Sequence, residues 1–235
     1  MLTISKDIKR RDLPDHIQEG LTPFSTVQIK GMIFAYTFLL LDFLIIMPLL
    51  FPVIKPIFYV TFPLMAMINI WAIALLIKKP EKNEMESLLF IGGLGIVGSF
   101  CYFMLILKYS YMLGFTSPIY YVIWFMIYAA LIYFFVRQQI KKYSSLEKQS
   151  EKKIPAWQYT LVSISVPAGY IVAQYVMSFS QSILLSIMML VYWIFCIFFI
   201  FIMARSFHKY FFIKKNLHVA YFANKELYRK VKGLD

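Results

Sequence analysis

The chain is 235 residues long, 60% hydrophobic and 19% aromatic, yet only 15% charged, with a formal net charge of +12. A soluble domain carries about 25% charged and about 45–50% apolar residues, so a single water-soluble globule is excluded. The basic balance does not point to nucleic acid either, because the charges gather in short gaps between long uncharged runs.

A hydrocarbon core about 30 Å thick needs about 20 apolar residues in a helix rising about 1.5 Å per residue. Six stretches meet this length, at 31–53, 56–77, 87–107, 118–136, 157–177 and 183–204. The expected fold is therefore all-α, a polytopic bundle of six transmembrane helices in three hairpins. The organisation expected is an N-terminal arm over 1–30, a membrane domain over 31–204 and a tail over 205–235.

The arm carries Asp7, Asp12, Asp15 and Glu19 and has no apolar core of a signal peptide, so the first span is expected to serve as the insertion signal. Its Lys9-Arg10-Arg11 run is followed by Leu13-Pro14, which suits an interfacial position.

The first span holds Asp42 at its centre, the sole acid or base within any of the six stretches. A charge at that depth costs about 2.5–3.5 kcal/mol on insertion scales, and the Leu, Ile, Phe and Val residues around it return about 0.3–0.6 kcal/mol each. The span inserts, but the acid needs a partner. Asn69 of the second span lies within a turn of its level, and Tyr128 and Tyr192 also fall near mid-membrane. Asp42 and Asn69 form a candidate intramembrane polar site. They are read either as a proton- or cation-responsive pair or as a protonated acid donating one hydrogen bond between helices.

The third span contains Gly93-Leu94-Gly95-Ile96-Val97-Gly98, which matches the dinucleotide-binding G-x-G-x-x-G fingerprint. That fold needs an acidic residue about 20 positions later. None occurs between Glu86 and Glu147. In a membrane helix, glycines instead strip away side-chain bulk so that a neighbouring backbone can come close. Gly92, Gly95 and Gly98 are thus read as a packing seam; Gly98 matches Asp42 in depth, so the seam is expected to let those helices close near the carboxyl.

Pro48, Pro52 and Pro63 remove backbone donors in the first two spans. Pro167 and Gly169, in the fifth, mark a candidate hinge. Cys101 and Cys196 lie inside spans and form no C-x-x-C pair, so they are expected to be buried thiols.

With the N-terminus inside, 22 of the Lys and Arg residues fall on the cytoplasmic side and only Lys55 and Lys108 in outer connections. That is the positive-inside distribution for an even number of spans, with both termini cytoplasmic. Beyond Arg205, Tyr210, Ile213, Leu217, Ala220, Tyr221, Leu227, Tyr228 and Val231 recur at helical spacing among basic residues. This predicts a basic amphipathic helix on the anionic inner leaflet or on a cytoplasmic partner. His16, His208 and His218 show no ligand spacing, and no metal or cofactor is expected.

No paired acids and no nucleophile with a nearby His mark a catalytic centre, so no enzymatic activity is expected. The composition, rich in Ile, Lys, Phe and Tyr, suits an AT-rich bacterial genome. The expectation is a non-catalytic cell-membrane protein acting through contact with a membrane-protein partner or a second copy. An accessory subunit of a secretion or transport complex, or an immunity protein against a membrane-directed toxin, fits that class. The alternative is a small proton-coupled transporter or permease subunit using Asp42.

Overall fold

The computed structural model describes residues 2–5, 7–24, 26–78, 84–144 and 180–222. Among them all regular structure is helical. A 3-10 turn at Arg10–Asp12 and α1 (Asp15–Gly20) form the N-terminal arm. One rod follows, made of α2 (Thr26–Ile33), a π-helical stretch at Phe34–Phe43 and α3 (Leu44–Leu50). Then come α4 (Lys55–Ile77), α5 (Glu84–Met112), α6 (Pro118–Lys142) and α7 (Gln181–Lys215). Five of these helical runs are long and apolar enough to cross a membrane. The predicted fifth span over 157–177, with the candidate hinge at Pro167 and Gly169, lies outside the described residues.

Local chemistry sets the helix ends. α4 and α6 open with Pro56 and Pro118 in their first turns, where a missing N–H costs nothing. α5 closes in a Schellman turn: Phe115 N donates to Ser110 O at 3.1 Å and Gly114 N to Tyr111 O at 3.0 Å. Gly114 takes φ +90° there, the left-handed geometry that this cap requires. Glu84 and Glu86 sit in the first turn of α5, where acids complement the helix dipole. Glu86 also pairs with Lys78 across the connection at 3.1 Å.

The helix at the centre is α5. In its most apolar window 72% of residues are buried, against 6% for α6. Leu94, Cys101, Tyr102, Leu105 and Ile106 are inaccessible. Its most extensive partner is α7, followed by α4, while α6 leans mainly on α7. Among the described helices, α5 and α7, distant in sequence, form the main interface.

The glycine seam lies in that interface. A Cβ on Gly95 would stand 2.6 Å from the backbone N of Met203, and one on Gly92 3.0 Å from the Phe207 ring. A Cβ on Gly98 would overlap the Phe199 ring. Phe199, Met203 and Phe207 recur every four residues and make one face of α7. The expectation that the seam brings α5 to Asp42 is corrected, because the glycines face α7.

Two further expectations change. Lys108 does not lie in an outer connection: α5 runs on to Met112 and Lys108 is wholly buried within it. The predicted break at 204/205 is absent: Arg205–Lys215 continue α7 with Phe212 and Ile213 buried. These residues extend the last helix because Phe212 docks on the N-terminal arm and Ile213 on Leu88 of α5. The chain then turns at Asn216, and Leu217, Ala220 and Phe222 pack beside Leu88 and Ile213. Up to Phe222 the tail is thus not a separate surface helix; Leu227, Tyr228 and Val231 lie outside the described residues.

Candidate functional site

The side chains of Asp42 and Asn69 meet. Asn69 Nδ2 donates to Asp42 Oδ1 at 2.8 Å and to the Met65 carbonyl of its own helix at 3.1 Å. Asn69 Oδ1 is buried and has no hydrogen-bond partner. A carbonyl oxygen can only accept, so the Met65 contact fixes which end of the amide carries the hydrogens. The two polar residues singled out in the first and second spans are therefore one hydrogen-bonded unit with one acceptor left over.

The backbone around Asp42 is unusual. Phe34–Phe43 is wound as a π-helix, with Asp42 in its last turn. Such windings are rare and recur at functional sites. Thr37 precedes Asp42 by five residues, one i→i+5 step, and its buried Oγ1 also lacks a partner. From α5, the Tyr102 hydroxyl donates to the carbonyl of Leu40 within the same winding, and Cys101 lies within electrostatic reach of Asp42.

Neither mid-depth tyrosine joins the acid. Tyr128 shares a hydrogen bond with Ser99 at 3.0 Å and stacks on Phe103 at 4.6 Å. Tyr192 packs against Tyr109 at 5.3 Å and Tyr102 at 6.0 Å. Both thiols are buried and free, and the Cys196 thiol donates to Ser99 O at 3.4 Å.

Lys108, expected in an outer connection, is a buried lysine with partners of its own. The Lys108 ammonium donates to the carbonyl of Pro48 and, at 3.5 Å, to that of Leu49. Pro52 has no N–H to offer Pro48, and α3 ends at Leu50, so these carbonyls lack helical donors. A sequence signal existed: a lysine at a span's end facing a span whose outer turn holds two prolines.

At the basic end of the bundle the arm and the end of α7 form one body. Asn216 is inaccessible. Its Oδ1 accepts from Ile4 N at 2.8 Å, and its Nδ2 donates to Leu2 O at 3.2 Å and Phe212 O at 3.1 Å. Leu13, Ile17, Leu21, Tyr143 and Phe212 share a small core there. Tyr143 stacks on His208 at 4.7 Å, and burial pushes its phenol above the ordinary value. Arg10 lies over the Tyr221 ring at 5.0 Å, donates to Thr22 at 2.7 Å and is held below its usual range by burial. Beside this body a cavity of about 570 Å³ opens between α6 and α7, lined by Lys141, Lys142, Arg205, Gln138, Gln139, Ser144 and Phe201. Arg205 is also paired with Glu19 at 3.4 Å.

Among the described residues no group of three or more His, Cys, Asp or Glu side chains could hold a metal ion. No protein-family model matches the chain, and neither a curated protein nor a solved structure is similar to it.

Proposed function

We propose that this is an integral cell-membrane protein, both termini cytoplasmic, that acts without catalysis by holding a membrane-protein partner. An accessory subunit of a secretion or transport complex and an immunity protein against a membrane-directed toxin both fit that class. The observation that carries the reading is α6. Only 6% of its apolar window is buried, and Ile119, Phe125, Met126, Tyr133 and Phe134 are between 58% and 71% exposed. Large apolar faces of this kind mark lipid- or protein-facing surfaces, and aromatic side chains are enriched where proteins meet.

Topology is supported by the ends of the chain. Ile4 and Asn216 are hydrogen-bonded, so the N-terminal arm and the end of α7 share the bundle's basic end, which supports placing both termini on one side. Tyr143 packs on His208 and Phe212 near that end, whereas α7 begins at Gln181, roughly 40 Å away at about 1.5 Å per residue. Ser144 and Ser180 therefore lie at opposite ends, which favours an even number of crossings. The basic body built from the arm and the end of α7 would then face the cytoplasm and the anionic inner leaflet.

Photo-crosslinkers at Phe125 and Phe134 in native membranes test the proposal. Discrete protein adducts at these positions, lost when the probe is moved to buried Ile106, are expected. Adducts to lipid alone at both positions would end the contact reading for this face. A second reading, a small proton-coupled transporter or permease subunit, is favoured by the Asp42–Asn69 hydrogen bond. Proton-driven flux in liposomes, lost in Asp42→Asn, would select it.

A further inference from the structure

The amide of Asn69 spends both of its hydrogens, one on Asp42 Oδ1 at 2.8 Å and one on the Met65 carbonyl at 3.1 Å. Its oxygen is buried with nothing donating to it. Buried acceptors are almost always satisfied, and an orphan beside a carboxyl group has an obvious donor once that carboxyl carries a proton. We propose that Asp42 and Asn69 form a proton-binding pair. Asp42 Oδ2 takes one proton from water and donates it to Asn69 Oδ1, while Nδ2–H continues to donate to Asp42 Oδ1. Acid and amide then close a ring of two hydrogen bonds, and no other bond is made or broken.

The surroundings select the protonated form. An ionised Asp42 carries only acceptors and leaves the Asn69 oxygen without a donor, whereas a protonated Asp42 supplies one. Among the described residues, the groups around the acid supply no compensating cation. From α4 it meets Asn69; from α5 the nearby ionisable groups are Cys101 and Tyr102, and the Tyr102 hydroxyl is committed to the Leu40 carbonyl. On its own rod the neighbour is Thr37, whose Oγ1 lacks a partner. The nearest lysine on α5 is Lys108, and its ammonium is committed to the Pro48 and Leu49 carbonyls. None of the ion pairs among the described residues involves Asp42.

The proton would couple to the backbone. Asp42 sits in the last turn of the π-wound stretch, where i→i+5 bonding competes with the ordinary i→i+4 register. Closing or opening the ring pulls the end of that winding toward α4 or releases it. The proposal extends the site noted under the second functional reading but does not require that the proton be carried across.

Infrared spectroscopy of the full chain in liposomes decides the matter. Between about pH 4 and about pH 8, a range spanning ordinary carboxylate titration, the wild type is expected to show a carboxylic C=O band that Asp42→Asn removes. Its wavenumber is expected to be lowered by donation to the amide oxygen. In Asn69→Thr, whose hydroxyl can bond the Met65 carbonyl as Thr61 bonds Ile57 O at 2.7 Å, the band should move to higher wavenumber. Asn69→Leu should give the same shift and serves if the threonine variant does not assemble. Absence of an Asp42-dependent band across the range would overturn the proposal, since the acid would be ionised throughout. A band unmoved by the Asn69 changes would overturn it equally, since the proton would not rest on the amide. Flux measurements address the transporter reading separately, so the two can fail independently.

Discussion

The Lys108 ammonium donates to the carbonyl of Pro48, an acceptor whose helical donor would have been the N–H that Pro52 lacks. A proline in one helix and a lysine in another thus complete a single hydrogen-bonding requirement. Lysine on a flexible stem is suited to this, because three rotatable donors can serve two carbonyls. Leu49 O, at 3.5 Å from the same nitrogen, takes the second, weaker contact.

Removing that donor should destabilise the rod against α5. Lys108→Met keeps the side-chain volume but leaves the Pro48 carbonyl buried without a partner. A hydrogen bond to a charged group is worth about 1.5–3 kcal/mol, partly offset by no longer burying an ammonium, so a net loss of about 1–2 kcal/mol is expected. Lys108→Gln, which keeps an N–H donor, should recover part of it. Cys101 and Cys196 are free and fully buried, so a thiol-reactive dye reports unfolding directly. Equal melting temperatures for wild type and Lys108→Met would contradict the assignment.

What could be read from the sequence follows from what hydropathy and residue counting measure. Helix rise is nearly constant, so depth can be counted, and counting alone paired Asp42 with Asn69. The glycine stripe announced close packing, but a stripe does not carry the identity of the helix that fills it; that was decided by Phe199, Met203 and Phe207. Hydropathy put a boundary at Ala204, yet α7 continues because Phe212 and Ile213 find apolar partners outside the expected membrane. Hydropathy alone sets Lys108 in a loop, because its partner is a backbone carbonyl; only the two prolines at the outer end of the first span hint that such a carbonyl is left open. The π-winding at Phe34–Phe43 has no residue signature at all.

The glycine seam makes a graded prediction. Gly95→Ala drives its methyl into the Met203 backbone at 2.6 Å, which cannot step aside. Overpacking of this kind costs about 1–3 kcal/mol. Gly92→Ala meets only the Phe207 ring at 3.0 Å, a side chain that is only partly buried, and should cost less. Gly31→Ala, with nothing within 4 Å, should be neutral or slightly stabilising, as alanine favours helix over glycine by about 1 kcal/mol. Stability ranked by thermal melting should therefore run Gly31→Ala, Gly92→Ala, Gly95→Ala from highest to lowest. An inverted order would remove the seam from the α5–α7 interface.

Gly114 offers a test of backbone geometry without packing. Its φ is +90° and a Cβ there would touch nothing within 4 Å. Gly114→Ala should cost about 1–2 kcal/mol through conformation alone, and Gly114→Asn less, since asparagine tolerates left-handed backbone better. The same dye assay reads both. If alanine and asparagine prove equally harmless, the Schellman turn at the end of α5 is not the closure that the hydrogen bonds indicate.

The N-terminal arm depends on Asn216. Its amide accepts from Ile4 N and donates to the carbonyls of Leu2 and Phe212, and only an amide provides both functions at that length. Asn216→Ala leaves Ile4 N and Leu2 O without their partner, at about 1–3 kcal/mol for stranded buried groups. The loss is local, because the helices of the bundle pack through α5 and not through the arm. Hydrogen exchange should therefore rise across 2–24 while protection in α5 stays unchanged. Asn216→Asp, which keeps the acceptor for Ile4 but sets a buried carboxylate oxygen against the Leu2 and Phe212 carbonyls, should loosen the arm at least as much as alanine. Exchange that rises equally in the arm and in α5 would mean that the arm is part of the bundle's cooperative core, and that the tie between the arm and the end of α7 supports the whole fold.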